Sequence, residues 1–264
     1  MEDFSIIYPS SSLLPYVKCY WVLKTGSQSD TTARIVPTGM MSLIFHRGIR
    51  LFSMKDGELH PRAFVSGQES DYNDLLYSGQ VNMISVVFNP AGIRAFFNFP
   101  AGLLNSQRVS AGSLGDKELV ALEQSIADTE DDKICILLIE KFLLGRLRNI
   151  TAYNLERIEA SLRLIHSGQT DVAVLAATAC LSTKQFTRVF SEYVGANPKE
   201  FSRIIRFQKA LYKLQIDPEI SFAALAFDCG FYDQSHLIRE FKILSGYTPA
   251  EYIVACLPHS DYFD

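Results

Sequence analysis

The C-terminal half of this chain contains one short sequence written twice, and this repeat constrains the fold more than any other feature. The stretches "CLSTKQFTRVFSEYVGANPKEF" (residues 180–201) and "GFYDQSHLIREFKILSGYTPAEY" (residues 230–252) carry matching residue types at matching gaps. Six positions agree at an offset of 51 residues, and the pairs are Phe186 with Leu237, Arg188 with Arg239, Phe190 with Phe241, Gly195 with Gly246, Pro198 with Pro249, and Phe201 with Tyr252. This agreement indicates an internal duplication, so the two copies should fold alike.

A short alanine-rich segment precedes each copy, "DVAVLAATA" before the first and "SFAALAFDC" before the second. A short helix, a tight turn and a longer helix form the helix-turn-helix plan, in which small alanines let two helices cross closely. Gly230 suits the second turn because glycine adopts a positive φ easily. The first copy has Cys180 there and one residue fewer in its turn. We predict helix-turn-helix units at about residues 170–195 and 221–246.

The longer helix of each unit should present a polar face to solvent. In the first copy, apolar residues recur at helical spacing at Phe186, Val189, Phe190 and Tyr193 and should pack inward. Other faces then carry Lys184, Gln185, Thr187 and Arg188. Ser182 is a natural N-cap for this helix, and Asp233 for its counterpart. Lysine and arginine suit guanine edges and glutamine suits adenine, so these faces can reach DNA.

Two such units in one chain can enter two successive major grooves without dimerising. Residues 199–215 lie between the units and would form a linking helix of ~25 Å. Together with the tilt of the units, that length suits recognition helices about one DNA turn, ~34 Å, apart. The repeat therefore predicts a domain that reads double-stranded DNA at two places.

These motifs resemble the DNA-binding domain of the AraC/XylS family of transcription regulators. The resemblance is carried by "LSTKQFTRVF", "GANPKEF" and, most specifically, "GFYDQSHLIREFKILSGYTPAEY", and it spans residues 155–252. It implies that the exposed side of each recognition helix meets base edges. Carried over to this chain, the contacting residues are Lys184, Thr187 and Arg188 in the first helix and Gln234, Ser235, Ile238 and Arg239 in the second, with His236 at the margin. Ser182 and Gln185 complete the predicted DNA-binding set.

Charge leaves alternatives open for these cations. The chain has a net charge of −4, and residues 151–264 hold 11 Lys and Arg against 13 Asp and Glu, a net of −2, where DNA-binding domains are often basic. Glu192 follows Arg188 by four residues and could hold it in a structural ion pair. Arg203, Arg206 and Lys209 cluster with Lys213 on the linking segment, either as phosphate contacts or as a solvated face. Modest affinity, strong salt sensitivity or a need for dimerisation could follow from the low positive charge.

The N-terminal part reads as β structure. The runs "YVKCYWVLK", "MMSLIFHRG", "RAFVSGQ" and "VNMISVVFN" are β-branched or aromatic-rich and are broken by turn residues, as in a small barrel or sandwich. Residues 1–115 more loosely resemble the sensor-type domain of some family members. That resemblance implies a small-molecule effector without naming it, although aromatic residues in strands are usually core. We predict an α+β fold with two domains, residues 1–149 and 150–255.

A helical pair, residues 117–149, should join the two domains. Its second helix, "KICILLIEKFLLGRLR", is apolar over more of its circumference than one core requires, and Asp131 or Asp132 should cap it. We predict a homodimer face formed by Ile134, Leu137, Leu138 and Phe142. The alternative is that both helices pack on the β domain.

Composition excludes several other classes. Five cysteines lie far apart with no CxxC pair, against a disulfide framework or zinc site, and His46 and His60 lack the spaced ligand set of a metal site. No apolar run approaches the ~18 residues of a membrane span, and the acidic N-terminus does not resemble a secretory signal. With no nucleotide-binding or nucleophile motif, we expect no enzyme, no cofactor and a cytoplasmic location.

The sequence therefore predicts a sequence-specific DNA-binding transcription regulator, with RNA polymerase as a partner if it acts as an activator. The alternative is a ligand- or protein-binding protein whose DNA-binding domain is degenerate, and the negative charge of that domain keeps this alternative open.

Overall fold

The computed structural model describes residues 3–147 and 152–255, and the N-terminal part of these is a β domain. Its eight strands are β1 Asp3–Ile7, β2 Val17–Ile35, β3 Ser42–His46, β4 Phe52–Ser53, β5 Glu58–Leu59, β6 Ala63–Ser66, β7 Asn73–Phe88 and β8 Arg108–Ser110. They form an antiparallel sheet in the order β1-β2-β7-β3-β6-β8, and β4 pairs with both β5 and β7. The long pairing of β2 with β7 forms the central part of this sheet.

The sheet has two chemically different faces, because cross-strand partners point the same way. Tyr20, Val86, Leu43 and Val65 lie in register across four strands and are fully buried on one face. The next row carries Trp21, Ser85, Ile44, Phe64 and Ser110 on the opposite face, which we call the inner face. The inner face thus mixes apolar and polar side chains.

Two helices cover the fully apolar face. They are α1 Lys117–Ala127 and α2 Asp132–Arg146, and Asp131 caps α2 by accepting hydrogen bonds from two backbone N–H groups. Leu138 and Phe142 of α2 pack against the core of the β domain. Ile134 and Leu137 are 50% and 65% exposed. The outward apolar face is therefore narrower than the sequence pattern indicates, because the β domain takes up two of its four residues.

The C-terminal part is entirely helical over residues 152–255, which confirms the predicted two-domain α+β class. Its helices are α3 Ala152–His166, α4 Val172–Thr178, α5 Thr183–Val194, α6 Pro198–Ile216, α7 Phe222–Cys229, α8 Gln234–Ser245 and α9 Pro249–Ala255. Helices α4 and α5 form the first helix-turn-helix unit and α7 and α8 the second. The proposed domain boundary at residues 149 and 150 lies outside the described residues.

The repeated residues build one local structure twice. Phe190 meets Phe201 edge-on with ring centroids 5.7 Å apart, and Phe241 meets Tyr252 in the same way at 5.6 Å. Between the members of each pair, Gly195 and Gly246 end the recognition helix at φ 90° and 76°. A side chain at either glycine would be strained there. The identical gaps of the repeat therefore come mainly from packing and turn geometry.

We predict that Phe190→Ala and Phe241→Ala each lower the free energy of unfolding by roughly 3–5 kcal/mol, because each removes a fully buried ring and leaves a cavity. Chemical denaturation of the full chain measures this. Phe227→Ala is the matched control, because Phe227 is 86% exposed and its loss should change stability by less than about 0.5 kcal/mol. Equal effects at buried and exposed phenylalanines would contradict the packing account.

Candidate nucleic-acid interface

The first recognition helix, α5, begins at a capping box. The Ser182 hydroxyl accepts a hydrogen bond from the backbone N–H of Gln185, and the Gln185 side chain accepts one from the backbone N–H of Ser182. Thr187 donates its hydroxyl to the Thr183 carbonyl at 2.9 Å. Three of the predicted contacts are thus exposed or half-buried side chains that also hold the helix together locally. Their role toward DNA stays a prediction.

Lys184 and Arg188 project from the exposed side of α5. Neither forms an ion pair with any residue of the described ranges. Glu192, the sequence-based candidate partner of Arg188, instead lies 3.7 Å from Arg94 of the β domain. The guanidinium of Arg94 also lies 5.7 Å from the centre of the Tyr193 ring. The structural ion pair considered for Arg188 is therefore absent here, because a tertiary contact holds Glu192.

The second recognition helix, α8, begins at Asp233, whose carboxylate accepts the backbone N–H of His236 at 2.7 Å. In turn, His236 Nδ1 accepts the backbone N–H of Tyr232 at 3.2 Å, and its ring meets Phe231 edge-on. His236 therefore organises the turn. Gln234, Ser235 and Arg239 are exposed, and Ile238 is half-buried.

The cations of the linking helix α6 divide into two groups. Arg203 pairs with the buried Glu240, and Arg206 donates to the Gly230 carbonyl at 3.3 Å with its guanidinium over the Phe231 ring. These two side chains tie α6 to the second unit. Lys209 is exposed and forms no ion pair within residues 3–147 and 152–255. Of the three predicted phosphate contacts, Lys209 alone has no intramolecular partner in those ranges.

Sequence reasoning missed two exposed aromatic residues beside the start of α8. Phe227 on α7 is 86% exposed and Tyr232 in the turn is 91% exposed. A signal was available, because Phe227 aligns with Ala177 of the first copy at an offset of 50 residues, and the turn that contains Tyr232 is one residue longer. The two units therefore differ in what they present beside their recognition helices.

The inner face of the β domain carries a second group of unusual side chains. His46 and His60 are 3% and 6% exposed, with rings 6.0 Å apart, and both contact Phe64. Both nitrogens of His46, Nε2 of His60 and the Ser85 hydroxyl have no hydrogen-bond partner among the described residues. Burial lowers the pKa of His46 to about 4 and that of His60 to about 3, with nearby arginines adding to the effect. Both histidines are therefore neutral near pH 7.

Over residues 3–147 and 152–255, no three His, Cys, Asp or Glu side chains come together as a set that could hold a metal ion. Among the helices of those ranges, none combines the length and apolar character that a bilayer span requires.

Two family models each match a different part of the chain. A model described as a helix-turn-helix domain, of the AraC type, matches residues 175–254, from within α4 to α9. Residues 175–254 therefore hold a helix-turn-helix domain of the AraC type. A second model, described as a domain of unknown function (DUF6597), matches residues 5–110, which hold the strands of the β domain.

Several individual proteins are similar to this chain or to part of it. An uncharacterized HTH-type transcriptional regulator of Haemophilus influenzae is 27% identical over 95 residues, which are 35% of this chain, and the chain spans 32% of that relative's length. ToxT from Vibrio cholerae is similar in fold over 96% of this chain and 98% of its own, at a TM-score of 0.50 and 9% identity. The DNA-binding domain of AdpA, solved in complex with a target DNA, is 30% identical over 39% of this chain and 90% of its own, at a TM-score of 0.34.

We predict that the two buried histidines make the chain sensitive to acid. Their folded-state pKa values of about 4 and about 3 lie below the ordinary value of 6.5. At a pH between the folded-state pKa of a histidine and 6.5, the unfolded chain therefore binds more protons than the folded chain. Their contribution to stability is full above pH 6.5 and falls as the pH drops towards 4, by about 1.4 kcal/mol per pH unit for each histidine.

Urea unfolding at several pH values between about 7 and 4.5 measures that slope. His46→Leu should make the slope shallower than in the parent chain. Leu51→Ala, which removes a buried apolar group from the same side of the sheet, is the control and should lower stability equally at every pH. An unchanged slope in His46→Leu would contradict the assignment.

Proposed function

We propose that the chain is a sequence-specific DNA-binding transcription regulator whose helices α5 and α8 read successive major grooves of one duplex. The observation that carries this proposal is the repetition of one exposed polar face. Lys184 and Arg188 on α5 correspond in place to Ser235 and Arg239 on α8. Arginine and lysine bind guanine edges well, and each recognition helix that enters a groove contributes a few such contacts.

The acidic balance of the domain is compatible with this role because the carboxylates within α5 and α8 are held by arginines. The carboxylate of α5, Glu192, faces Arg94, and the carboxylate of α8, Glu240, is buried against Arg203. On α7, Asp228 pairs with Lys213. The exposed sides of α5 and α8 therefore keep their cations unneutralised. Few phosphate contacts should give modest affinity and a shallow dependence of that affinity on salt, because the slope grows with the number of contacts.

We predict that Lys184→Ala and Arg239→Ala each weaken DNA binding by about 1–3 kcal/mol, with relaxed preference at one base pair if the side chain reads a base. If the side chain contacts only phosphate, the loss should be uniform across sequences and the salt slope should become shallower. Gel-shift titrations on selected DNA measure both. Lys133→Ala is the control, because Lys133 is also an exposed cation but lies on α2 of the β domain. Its removal should leave the DNA affinity unchanged.

Unfolding of either variant would point to a structural role instead, so thermal denaturation accompanies the titrations. The competing function, a binding protein with a degenerate DNA-binding domain, predicts a different result. In a gel shift with mixed genomic DNA at low salt, such a protein should not bind, whereas the regulator should.

The β domain is proposed to receive a small-molecule effector on its inner face. Buried polar atoms without partners are costly unless a ligand or water satisfies them, and His46, His60 and Ser85 place several of these atoms on one side of the sheet. Neutral imidazoles and a hydroxyl suit an uncharged molecule that bears hydroxyl or carbonyl groups. Native mass spectrometry of the purified chain tests this: a bound small molecule that His46→Leu loses supports the site, and a ligand-free chain with unchanged stability argues against it.

A homodimer contact through α2 is the remaining structural proposal. Ile134, Leu137 and Leu144 are 50%, 65% and 43% exposed, and their spacing of three and seven residues places them on one stripe of the helix. A stripe of this kind can pair with its copy about a two-fold axis. Leu138 and Phe142, also assigned to this face from sequence, would support it from below.

We predict that Leu137→Asp converts a dimer of the full chain into a monomer, because a carboxylate would be buried at the centre of the contact. Sedimentation velocity at micromolar concentration measures the change. Met54→Asp alters a similarly exposed side chain, 56% accessible, outside the stripe and should leave the dimer intact. A parent chain that sediments as a monomer throughout would contradict the proposal.

Transcriptional activation and contact with RNA polymerase stay predictions that rest on the family resemblance, and a cytoplasmic location stays a prediction from the sequence composition.

A further inference from the structure

The β domain contacts the two helix-turn-helix units at equivalent points. Helix α5 ends at Val194 and α8 ends at Ser245, residues that correspond at the repeat offset of 51. The side-chain amide of Gln68 donates a hydrogen bond to the Val194 carbonyl at 3.1 Å, and the Arg34 guanidinium donates one to the Ser245 carbonyl at 3.0 Å. The last carbonyls of a helix lack partners within that helix, so both donors satisfy groups that need them.

Each donor is itself held in place by further contacts, most of them within the β domain. Arg34 binds both oxygens of Asp74 at 2.7 Å, and its guanidinium lies between the rings of Tyr72 and Tyr247 at 4.3 Å from each centre. A planar guanidinium with both faces and three of its nitrogens in use has little freedom to move. Gln68 is 1% exposed and also donates to the Gly39 carbonyl at 2.8 Å. Both are therefore rigid points of attachment.

The two glycines that follow the recognition helices leave room for this contact. A Cβ atom at Gly195 would lie 3.1 Å from Gln68 Cγ, and one at Gly246 would lie 2.5 Å from Arg34 Nη1. The close approach of the β domain thus uses the same position of the repeat in both units. The β domain also contributes one apolar residue to the core of each unit, Ala91 to the first and Val36 to the second.

The link between the units would otherwise rest on α6 and its ends. This helix has 19 residues, and at 1.5 Å per residue it spans about 28 Å. Rotation at the Asn197 or Asp217 end would swing one recognition helix relative to the other. The β domain contacts α6 as well, because the Gln208 side chain donates to the Pro37 carbonyl at 2.6 Å. One body therefore contacts the first unit, the linking helix and the second unit.

We propose that Gln68 and Arg34 are positioning residues through which the β domain sets the mutual orientation of the two recognition helices, and with it the spacing of the two DNA segments that the chain accepts. The DNA part of this inference rests on the proposed function; the orientation part does not. In this arrangement, a structural change inside the β domain would alter the positions of both recognition helices together.

Distance measurements in the full chain without DNA test the orientation part. Spin labels at Cys180, which is exposed, and at Phe227→Cys report on the first and second unit, with Cys256→Ser in the background. Cys19, Cys135 and Cys229 are buried, and burial raises the pKa of each thiol, so they should react slowly. Electron–electron double resonance then gives the distribution of label–label distances.

The variants remove the attachment with small changes of volume and charge. Gln68→Leu deletes the amide but keeps a similar size, and Arg34→Lys keeps the positive charge beside Asp74 but lacks the planar fork. The control is Arg47→Lys, which alters a more deeply buried arginine that binds Asp132 within the β domain. We expect one narrow distribution in the parent and the control, and a distribution about twice as wide in the double variant Gln68→Leu/Arg34→Lys. An unchanged distribution in that double variant would overturn the proposal.

Binding to DNA of altered spacing tests the specificity part. One base pair inserted between the two contacted segments rotates them by roughly 34° about the duplex axis. The parent should lose about tenfold in affinity, the equivalent of one good contact, and the double variant clearly less. Equal losses in both would overturn the specificity role. A chain that binds no DNA would instead refute the proposed function, while the distance distributions would still decide whether the β domain orients the units.

Discussion

The edge-on contact between two aromatic rings, formed once in each helix-turn-helix unit, is the interaction on which the DNA-binding part depends. Phe190 and Phe241 each anchor a recognition helix from below, and their partners Phe201 and Tyr252 belong to the helix that follows the turn. A ring pair of this kind contributes about 0.5–1.5 kcal/mol beyond the area that it buries. It also determines where the chain must reverse, and there the backbone needs glycine. The spacing of helix, turn and next helix follows from that geometry.

The features that could be predicted from sequence are those that depend on residues near one another in the chain. The duplication, the two units and the caps Ser182 and Asp233 depend on residues close together in the chain, so their spacing was sufficient. The partners of Arg203 and Glu192 depend on how distant segments pack, and no local pattern carries that information. The exposed face of α2 was overestimated for the same reason, because Leu138 and Phe142 meet a sheet that is distant in sequence.

The contacts of Gln68 and Arg34 could not have been predicted from sequence at all. Their acceptors are backbone carbonyls, at Val194 in one unit and Ser245 in the other, and a carbonyl leaves no mark on residue identity. The glycines that follow were recognised as turn residues, but their second use, close approach to another domain, needs three-dimensional coordinates. Repeats can therefore conserve a contact point while the side chains around it differ.

Whether this domain can bind DNA depends more on the local arrangement of its charges than on its net charge. A domain with a net charge of −2 can still present cations to DNA when its carboxylates are held by arginines and lysines elsewhere, as Glu192 and Glu240 are. Net charge governs long-range attraction, whereas the contacted face governs which sequence is bound. A small number of phosphate contacts should be visible as a shallow dependence of affinity on salt.

Hydroxyl-radical footprinting of the full chain on DNA selected from genomic fragments tests the central claim most directly. Two recognition helices in successive major grooves predict two protected patches about one helical turn apart on one face of the duplex. A single isolated patch, or no protection at concentrations that saturate a gel shift, would contradict the account.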